Sequence, residues 1–403
     1  MKTETFFVPL IRGIFLEKAR CPWMVVFSAD GKGGESAELA ISVEAGDEKA
    51  VGKKFALAFS ESKFFKENKI PLRVKISSNG TDYIYHTAPC YSGIEKIRKG
   101  EQKEAWDLKN IAPVNTGDSK TPDYATSRST VAKNRIALVT GGAQGFGEEI
   151  TRGLVSAGAL VFIADLNKEG AEKLAATLNS EYKKTVAFPA EVNVGDELSV
   201  QNMIENIAIT AGGLDLCVSN AGVLRAASIL EQDIQSFKFV TDINYVAFAI
   251  VTKHCGLLMK AQNATAPVWT TDIIQINSKS GLDGSNKNGS YAGSKFGGIG
   301  LVQSFAKELV EYNTKVNAVC PGNFFDGPLW SDPVKGLFVQ YLNTGKVPGA
   351  KSIQDVKAFY EAKIPMGRGC TGPDVIRAVL YLVEQIYETG QALPVTGGQV
   401  MLS

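Results

Sequence analysis

The stretch RIALVTGGAQGFGEEITRGLVSAGALVFIAD, residues 135–165, limits the fold more than any other part of the chain. A short apolar run is followed by clustered glycines, then by a segment with helical periodicity. A second apolar run, ALVFIAD, closes on an acid. Strand, glycine turn, helix and strand make a βαβ unit, the nucleotide-binding half of a doubly wound parallel sheet. Gly141 and Gly145 let the backbone turn and approach a pyrophosphate, Gly147 lets the helix pack close, and free N–H groups at the helix start face the phosphates. Asp165 ends the second strand, placed to accept hydrogen bonds from ribose 2′ and 3′ hydroxyls. A carboxylate there repels a 2′-phosphate, and no Arg follows immediately, so NAD is expected over NADP.

A second feature lies in NGSYAGSKFGG, residues 288–298, where Tyr291 and Lys295 stand four apart. On a helix the two share a face. A cation there favours the phenolate, whose unperturbed pKa is about 10; lowering it by about two to three units asks for roughly 3–4 kcal/mol. The product would be a general acid/base matched to an alcohol proton. In a chain with 12 Tyr, one such spacing is also what chance provides.

Other residues decide between these. Thr140-Gly141, three residues ending in Gln144, then Gly145-Phe146-Gly147 is similar to the TGxxxGxG turn of short-chain dehydrogenases/reductases. Asn220-Ala221-Gly222 resembles the family's NAG motif, Asn244 its relay asparagine and Ser278 its catalytic serine. Tyr291 and Lys295 match its active-site pair, and Pro321-Gly322 its PG turn, all in the family's order. The resemblance covers residues 131 to 403. It implies a Rossmann-like α/β fold, an NAD-dependent oxidoreductase and homodimers or homotetramers. It also implies roles: Tyr291 exchanges the hydroxyl proton, and Lys295 lowers its pKa and binds the nicotinamide ribose. Ser278 hydrogen-bonds the substrate oxygen, and Asn244 holds a water that links Lys295 to solvent.

Within the family, IIQINSKSG, SKFGGIGLVQS and TGQALPVTGGQVM look like members that oxidise sorbitol 6-phosphate at C2 to fructose 6-phosphate with NAD. A polyol phosphate would then be the substrate. Lys279 and Lys287, with Lys335 and Lys363 behind them, are candidate phosphate ligands, and each also reads as a solvated lysine. Arg368 reads as structural first. The chain departs from the family pattern at Glu191-Val192, which stands for Asp-Val beside the adenine, and at Ser219. Asn323 follows the PG turn without the usual threonine.

Three regions are expected. Residues 133–403 form the dehydrogenase, with a substrate lid at about 327–366, and the polar, Pro-containing segment 107–132 is a linker. Residues 1–106 form a smaller β-rich α+β accessory domain without a recognised family. In it, PLRVKISSNGTDYIYH reads as a hairpin turning at Asn79-Gly80. AELAISVEAG and KKFALAFS read as further strands, and Trp23 and Trp106 as core.

With 43 basic against 42 acidic residues, nothing draws the chain to nucleic acid or an acidic membrane. The N-terminal apolar stretch is broken by Pro9 and Arg12 and lacks a signal-peptide body, and no run is long enough to span a bilayer. Six scattered cysteines and two histidines, His86 and His254, suggest neither a metal cluster nor a disulfide framework, so a cytoplasmic setting is expected. A free polyol or another secondary alcohol is the rival substrate. A non-catalytic NAD sensor is the rival class, opposed by the intact Asn244, Ser278, Tyr291 and Lys295.

Overall fold

A computed structural model describes residues 3–19, 22–28, 38–43, 47–111, 130–334, 336–343, 345 and 347–401. The N-terminal region runs α1 (Thr3–Ala19), β1 (Met24–Ser28), β2 (Glu38–Ser42), α2 (Glu48–Glu61), α3 (Lys63–Lys66), β3 (Lys69–Ile70), β4 (Arg73–Ser78), β5 (Thr81–Ala88), α4 (Tyr91–Arg98) and β6 (Trp106–Asp107). The remainder begins with β7 (Ile136–Thr140), α5 (Gly145–Ser156), β8 (Leu160–Asp165), α6 (Lys168–Tyr182), β9 (Ala187–Glu191), α7 (Glu197–Ala211), β10 (Leu216–Ser219) and α8 (Ile234–Thr241). It continues with α9 (Ala247–Asn263), β11 (Thr271–Ile276), α10 (Gly289–Leu309), β12 (Thr314–Pro321), α11 (Pro328–Ser331), α12 (Leu337–Asn343), α13 (Ile353–Glu361), α14 (Gly372–Glu384) and β13 (Ala392–Val395).

The large sheet is parallel, in the order β13-β12-β11-β10-β7-β8-β9, so the chain direction across it reverses between β7 and β10. Ligands of such sheets bind beyond the carboxyl ends of the strands at that reversal. Its strands are apolar on both faces because helices cover both. Val139, Val161 and Ile163 pack against Ile150 and Leu154 of α5, Leu174 and Leu178 of α6 and Val375 and Val379 of α14. Leu138 and Phe162 point the other way, towards Met203 of α7, Val251 of α9 and Val302 of α10.

The small sheet has the order β1-β5-β4-β2. Its β4–β5 hairpin turns where expected: Asn79 and Gly80 both have positive φ, the geometry of a type I′ turn. Trp23 and Tyr85 are fully buried, so the aromatics there are core. One strand expectation is corrected. KKFALAFS belongs to helix α2, capped by Asp47, whose carboxylate accepts from the Ala50 N–H at 2.9 Å. The apolar spacing of Phe55, Leu57 and Phe59 fits period two in the sequence, but Phe55 and Phe59 are buried while Leu57 is exposed, which is the i, i+4 pattern of a helix. The segment expected as a linker starts inside β6 and a 3₁₀ turn at Leu108–Asn110, and residues 112–129 lie outside the described set.

The N-terminal region does not stand apart from the large sheet. Met24, Val26, Leu72 and Ile94 share one apolar cluster with α7 and α9, and Trp269 joins the cluster around Phe7, Phe15 and Trp23. The join centres on a buried ion pair. Arg12 of α1 reaches Asp215, at the amino end of β10, with two prongs at 2.9 and 2.7 Å, and both side chains are fully buried. Asp215 also accepts from the Ile136 N–H at 2.8 Å and the Trp269 indole at 2.9 Å, while Arg12 Nε donates to the Trp23 carbonyl at 2.6 Å and Nη1 to Gln262. Burial alone would raise the Asp215 pKa; the charges of Arg12 and Arg135 and these hydrogen bonds outweigh it and hold the carboxyl below its usual range. Gly13 makes the approach possible, because a Cβ there would sit 2.0 Å from the Thr265 hydroxyl of the α9 end.

Truncating one partner of such a pair leaves a buried charge uncompensated. Arg12→Met is expected to destabilise the chain by about 3–5 kcal/mol, read from the urea midpoint, and Arg12→Lys by less. A midpoint for Arg12→Met equal to that of the unsubstituted chain would show that the pair does not hold the two regions together.

Candidate active site

The glycine turn follows β7. Gly141 and Gly145 have φ of 60° and 57°, the left-handed region. A Cβ on Gly147 would lie 1.9 Å from the Gly141 carbonyl oxygen, so only glycine lets α5 start this close to the strand. Gln144 is the residue before the helix, whose first N–H groups have no intrahelical acceptor. Thr140 ties the turn to the next strand: its hydroxyl accepts from the Asn220 and Ala221 N–H groups at 3.0 and 3.1 Å. The Asn220 amide donates to the Thr140 and Gly141 carbonyls, both at 3.0 Å. Asp165 accepts from the Ala143 N–H at 3.0 Å and the Asn167 N–H at 2.9 Å, which sets its carboxylate beside the turn. Glu191 is its neighbour across β8 and β9, exposed and 3.4 Å from Lys168, and Val192 is buried behind it. A narrow glycine cradle at a helix start, with a carboxylate at the end of the adjoining strand, fits a dinucleotide.

The four residues expected to react gather at the same end of the sheet. Ser278 follows β11 and caps a 3₁₀ turn, its hydroxyl accepting from the Ser280 N–H at 3.1 Å. Tyr291 and Lys295 lie one turn apart on α10, with the Lys295 ammonium 5.6 Å from the centre of the Tyr291 ring. Lys295 is buried and donates to the Ile276 carbonyl at 2.9 Å. Asn244 sits in a π turn, Asp242–Val246, a helix irregularity often found at functional sites. Its side chain accepts from the Val223 N–H at 2.8 Å and donates to the Val223 carbonyl at 2.9 Å. Gly222 lies beside it, where a Cβ would meet Asn244 Oδ1 at 3.2 Å and Lys295 Nζ at 3.8 Å. A cavity of about 10 Å³, of the size one water fills, is lined by Asn244, Lys295, Ser219 and Gln275. Gly322 follows Pro321 at the end of β12 and donates to the Val395 carbonyl of β13 at 2.9 Å.

The charge balance differs from the expectation drawn on spacing alone. Burial raises the Tyr291 pKa; a hydrogen bond with Ser278 opposes this, and Cys320 adds to it. Burial also lowers the Lys295 pKa to about 8, against a smaller opposing effect of Cys320. The Cys320 thiol is itself pushed up to about 11 by burial and stays neutral. In the chain by itself, desolvation outweighs the Ser278 hydrogen bond that favours the phenolate.

Two supporting groups escaped the sequence reading. Ser294 donates to the Tyr291 carbonyl at 2.7 Å and accepts from the Asn244 amide at 3.2 Å, joining Asn244 to α10. Phe324 stacks on Phe146 at 4.3 Å, which brings the segment after the PG turn against the glycine turn. That segment carries α11, α12 and α13 around a small core of Phe325, Trp330, Phe338 and Val356. The composition of GSYAGSKFGG hints at close packing, but nothing in it names these partners.

The lysines separate. Lys279 is half-buried next to Ser278, and burial lowers its pKa against the pull of Asp283. Lys287 is exposed in a turn with φ 55°. Lys363 lies over the Phe359 and Tyr360 rings at 4.1 and 5.1 Å, and Lys335 lies outside the described residues. Arg368 grips Asp374 through two hydrogen bonds of 2.6 and 3.0 Å, the structural use expected of it. His254 pairs with Glu197 on the surface of α9 and α7.

A lowered lysine pKa is also a statement about stability. Between pH of about 8 and 10.5 the unfolded chain holds the Lys295 proton and the folded chain does not, so stability rises with pH across that window; below it the full desolvation penalty applies. Lys295→Met is expected to stabilise the chain at pH 7 by about 1–2 kcal/mol. That is the roughly 3 kcal/mol of the shift less the cost of orphaning the Ile276 carbonyl. The gain should shrink towards pH 10.5 in thermal melts; a gain that is constant with pH would show that Lys295 is not desolvated.

Comparison with known proteins agrees with this geometry. The sequence model of the short chain dehydrogenase family matches residues 135–329. A sorbitol-6-phosphate 2-dehydrogenase of Escherichia coli strain K12 is 34% identical over 270 residues, 66% of this chain and 99% of that protein. A 3-oxoacyl-(acyl-carrier-protein) reductase of Aquifex aeolicus is 30% identical over 268 residues, 66% of this chain and 97% of its own. The crystal structure of sorbitol-6-phosphate 2-dehydrogenase SrlD from Erwinia amylovora superposes with a TM-score of 0.61 at 36% identity, covering 66% of this chain and all of that one. With nearly the whole length of these relatives matched, a parallel sheet of their kind and a glycine cradle at its reversal, the chain belongs to the short-chain dehydrogenase family and is an oxidoreductase.

Proposed function

We propose that this chain is an NAD-dependent dehydrogenase that interconverts sorbitol 6-phosphate and fructose 6-phosphate. The observation that carries the reaction type is the meeting of Ser278, Tyr291, Lys295 and Asn244 at one end of the sheet, beside the glycine cradle. The 34% identity to a sorbitol-6-phosphate 2-dehydrogenase along 99% of its length supports the substrate. Asp165 supports NAD: its carboxylate, held beside the glycine turn at the end of β8, would repel a 2′-phosphate, and Leu166 rather than a cation follows it.

In this reading the glycine turn at residues 141–147 and Asp165 would hold NAD, whose nicotinamide would supply the hydride acceptor for the carbinol carbon. Tyr291 Oη takes the hydroxyl proton, and Ser278 Oγ hydrogen-bonds the same oxygen as negative charge grows on it. Lys295 would favour the phenolate once cofactor and substrate fill the site, and a water in the cavity beside Asn244 would be the first step of the proton's way out. Lys279 is the leading phosphate ligand, since it follows Ser278 directly and is half-buried; Lys287, exposed four residues before Tyr291, is the second candidate. Residues 327–366 act as the lid, residues 107–132 as a linker, and residues 1–106 as a structural element of the enzyme in the cytoplasm. Exposed Leu257 of α9 and Phe296 of α10 support a homodimer or homotetramer.

The test is NADH formation at 340 nm with NAD and sorbitol 6-phosphate or free sorbitol. The phosphate should be turned over rapidly and free sorbitol slowly, with NADP a poorer cofactor. Tyr291→Phe should keep NAD binding and lose about 10²–10⁴-fold in kcat. Equal rates for both alcohols would discard the phosphate assignment, and full turnover by Tyr291→Phe would discard the mechanism.

A further inference from the structure

Ser278 and Tyr291 stand on different elements, yet both must meet one substrate oxygen. Ser278 lies on the turn after β11, and Tyr291 and Lys295 lie on α10. Between the two elements sits Asn277, 4% exposed, whose side chain touches both. Its Oδ1 accepts from the Ser278 N–H at 2.8 Å. Its Nδ2 donates to the Lys295 carbonyl at 2.9 Å and to Gln275 Oε1 at 2.7 Å. The reverse orientation of the amide would set its oxygen against the Lys295 carbonyl and its N–H groups against the Ser278 N–H, so the partners admit one arrangement.

Two glycines make the room. A Cβ on Gly281 would lie 2.2 Å from Asn277 Oδ1, and one on Gly298 would lie 3.1 Å from Asn277 Nδ2 and 2.8 Å from Gln275 Nε2. The small residues on this side of α10 therefore seat a polar clamp as well as bringing the helix close to the sheet.

We propose that Asn277 is a positioning residue that fixes the distance between the Ser278 hydroxyl and the Tyr291–Lys295 pair by joining the backbone of one to the backbone of the other. The inference rests on the assignment of Ser278, Tyr291 and Lys295 as the reacting set. It acts through placement, and a displacement of about 1 Å at a reacting group costs on the order of 10²-fold in rate.

The experiment compares Asn277→Ala and Asn277→Ser with the unsubstituted enzyme and with Tyr291→Phe, measuring NADH affinity by fluorescence and kcat and KM on the alcohol it oxidises. Asn277→Ala is expected to lose about 30–100-fold in kcat with NADH affinity and KM near their original values, because the clamp orders reacting groups and does not bind the cofactor. Asn277→Ser, which keeps one hydroxyl donor and is the milder change if Asn277→Ala folds poorly, is expected to fall between. Unchanged kcat per NADH-binding site in both variants would overturn the proposal, as would a kcat loss matched by an equal loss of NADH-binding sites, which marks a purely structural role. Tyr291→Phe separates the two failures: if it retains turnover, the reacting set is wrong, and if it alone abolishes turnover, only the clamp is wrong.

Discussion

One fully buried carboxylate organises this protein. Asp215 stands at the amino end of β10, beside the strand-order reversal, where it takes hydrogen bonds from the first residue of β7, from Trp269 and from Arg12. A carboxylate without partners there would cost several kcal/mol, and the Arg12 guanidinium supplies the charge and the two-pronged geometry that remove the penalty. Because Arg12 comes from α1, the central strands of the dehydrogenase sheet are completed by a residue from the N-terminal region. That region is thereby packed at the amino ends of the strands, while the glycine turn and Ser278 lie at the carboxyl ends.

The two ends handle buried charge in opposite ways. At the amino end, Arg12 and Asp215 neutralise each other and the carboxyl stays ionised. At the carboxyl end, Lys295 is buried with a carbonyl as its hydrogen-bond partner, and its pKa falls to about 8. A lysine held this way gains or loses its proton near neutral pH, a perturbation typical of functional sites and consistent with the role proposed for Lys295. The cost in stability is carried at the proposed active site, a common pairing of strain with function.

Legibility in the sequence followed the range of the interactions. The βαβ unit was plain because strand, glycine turn and helix are contiguous and each glycine has a backbone reason. The β4–β5 hairpin was equally plain, since Asn79-Gly80 carries its own turn chemistry. The α2 helix was misread because Phe55, Leu57 and Phe59 fit period two in the sequence, and its cap, Asp47, lies outside the apolar run. Arg12 read as a break in an apolar stretch, since its partner is 203 residues away. Asn277 was silent for the same reason: its partners on α10 and β11 converge only in the fold. The Tyr291 environment was misjudged because spacing shows the nearby cation but not the degree of burial.

Hydrogen exchange tests most directly whether the N-terminal region and the dehydrogenase are one body joined at Asp215. Saturating NAD, at about 100 times its Kd, stabilises the folded chain by about 2.7 kcal/mol, which slows exchange through global opening about 100-fold. If the account is right, the slowest amides of β1, β4 and β5 slow by the same factor as those of β7 and β10. Amides in β1, β4 and β5 that exchange at an unchanged rate while β7 and β10 become protected would contradict it.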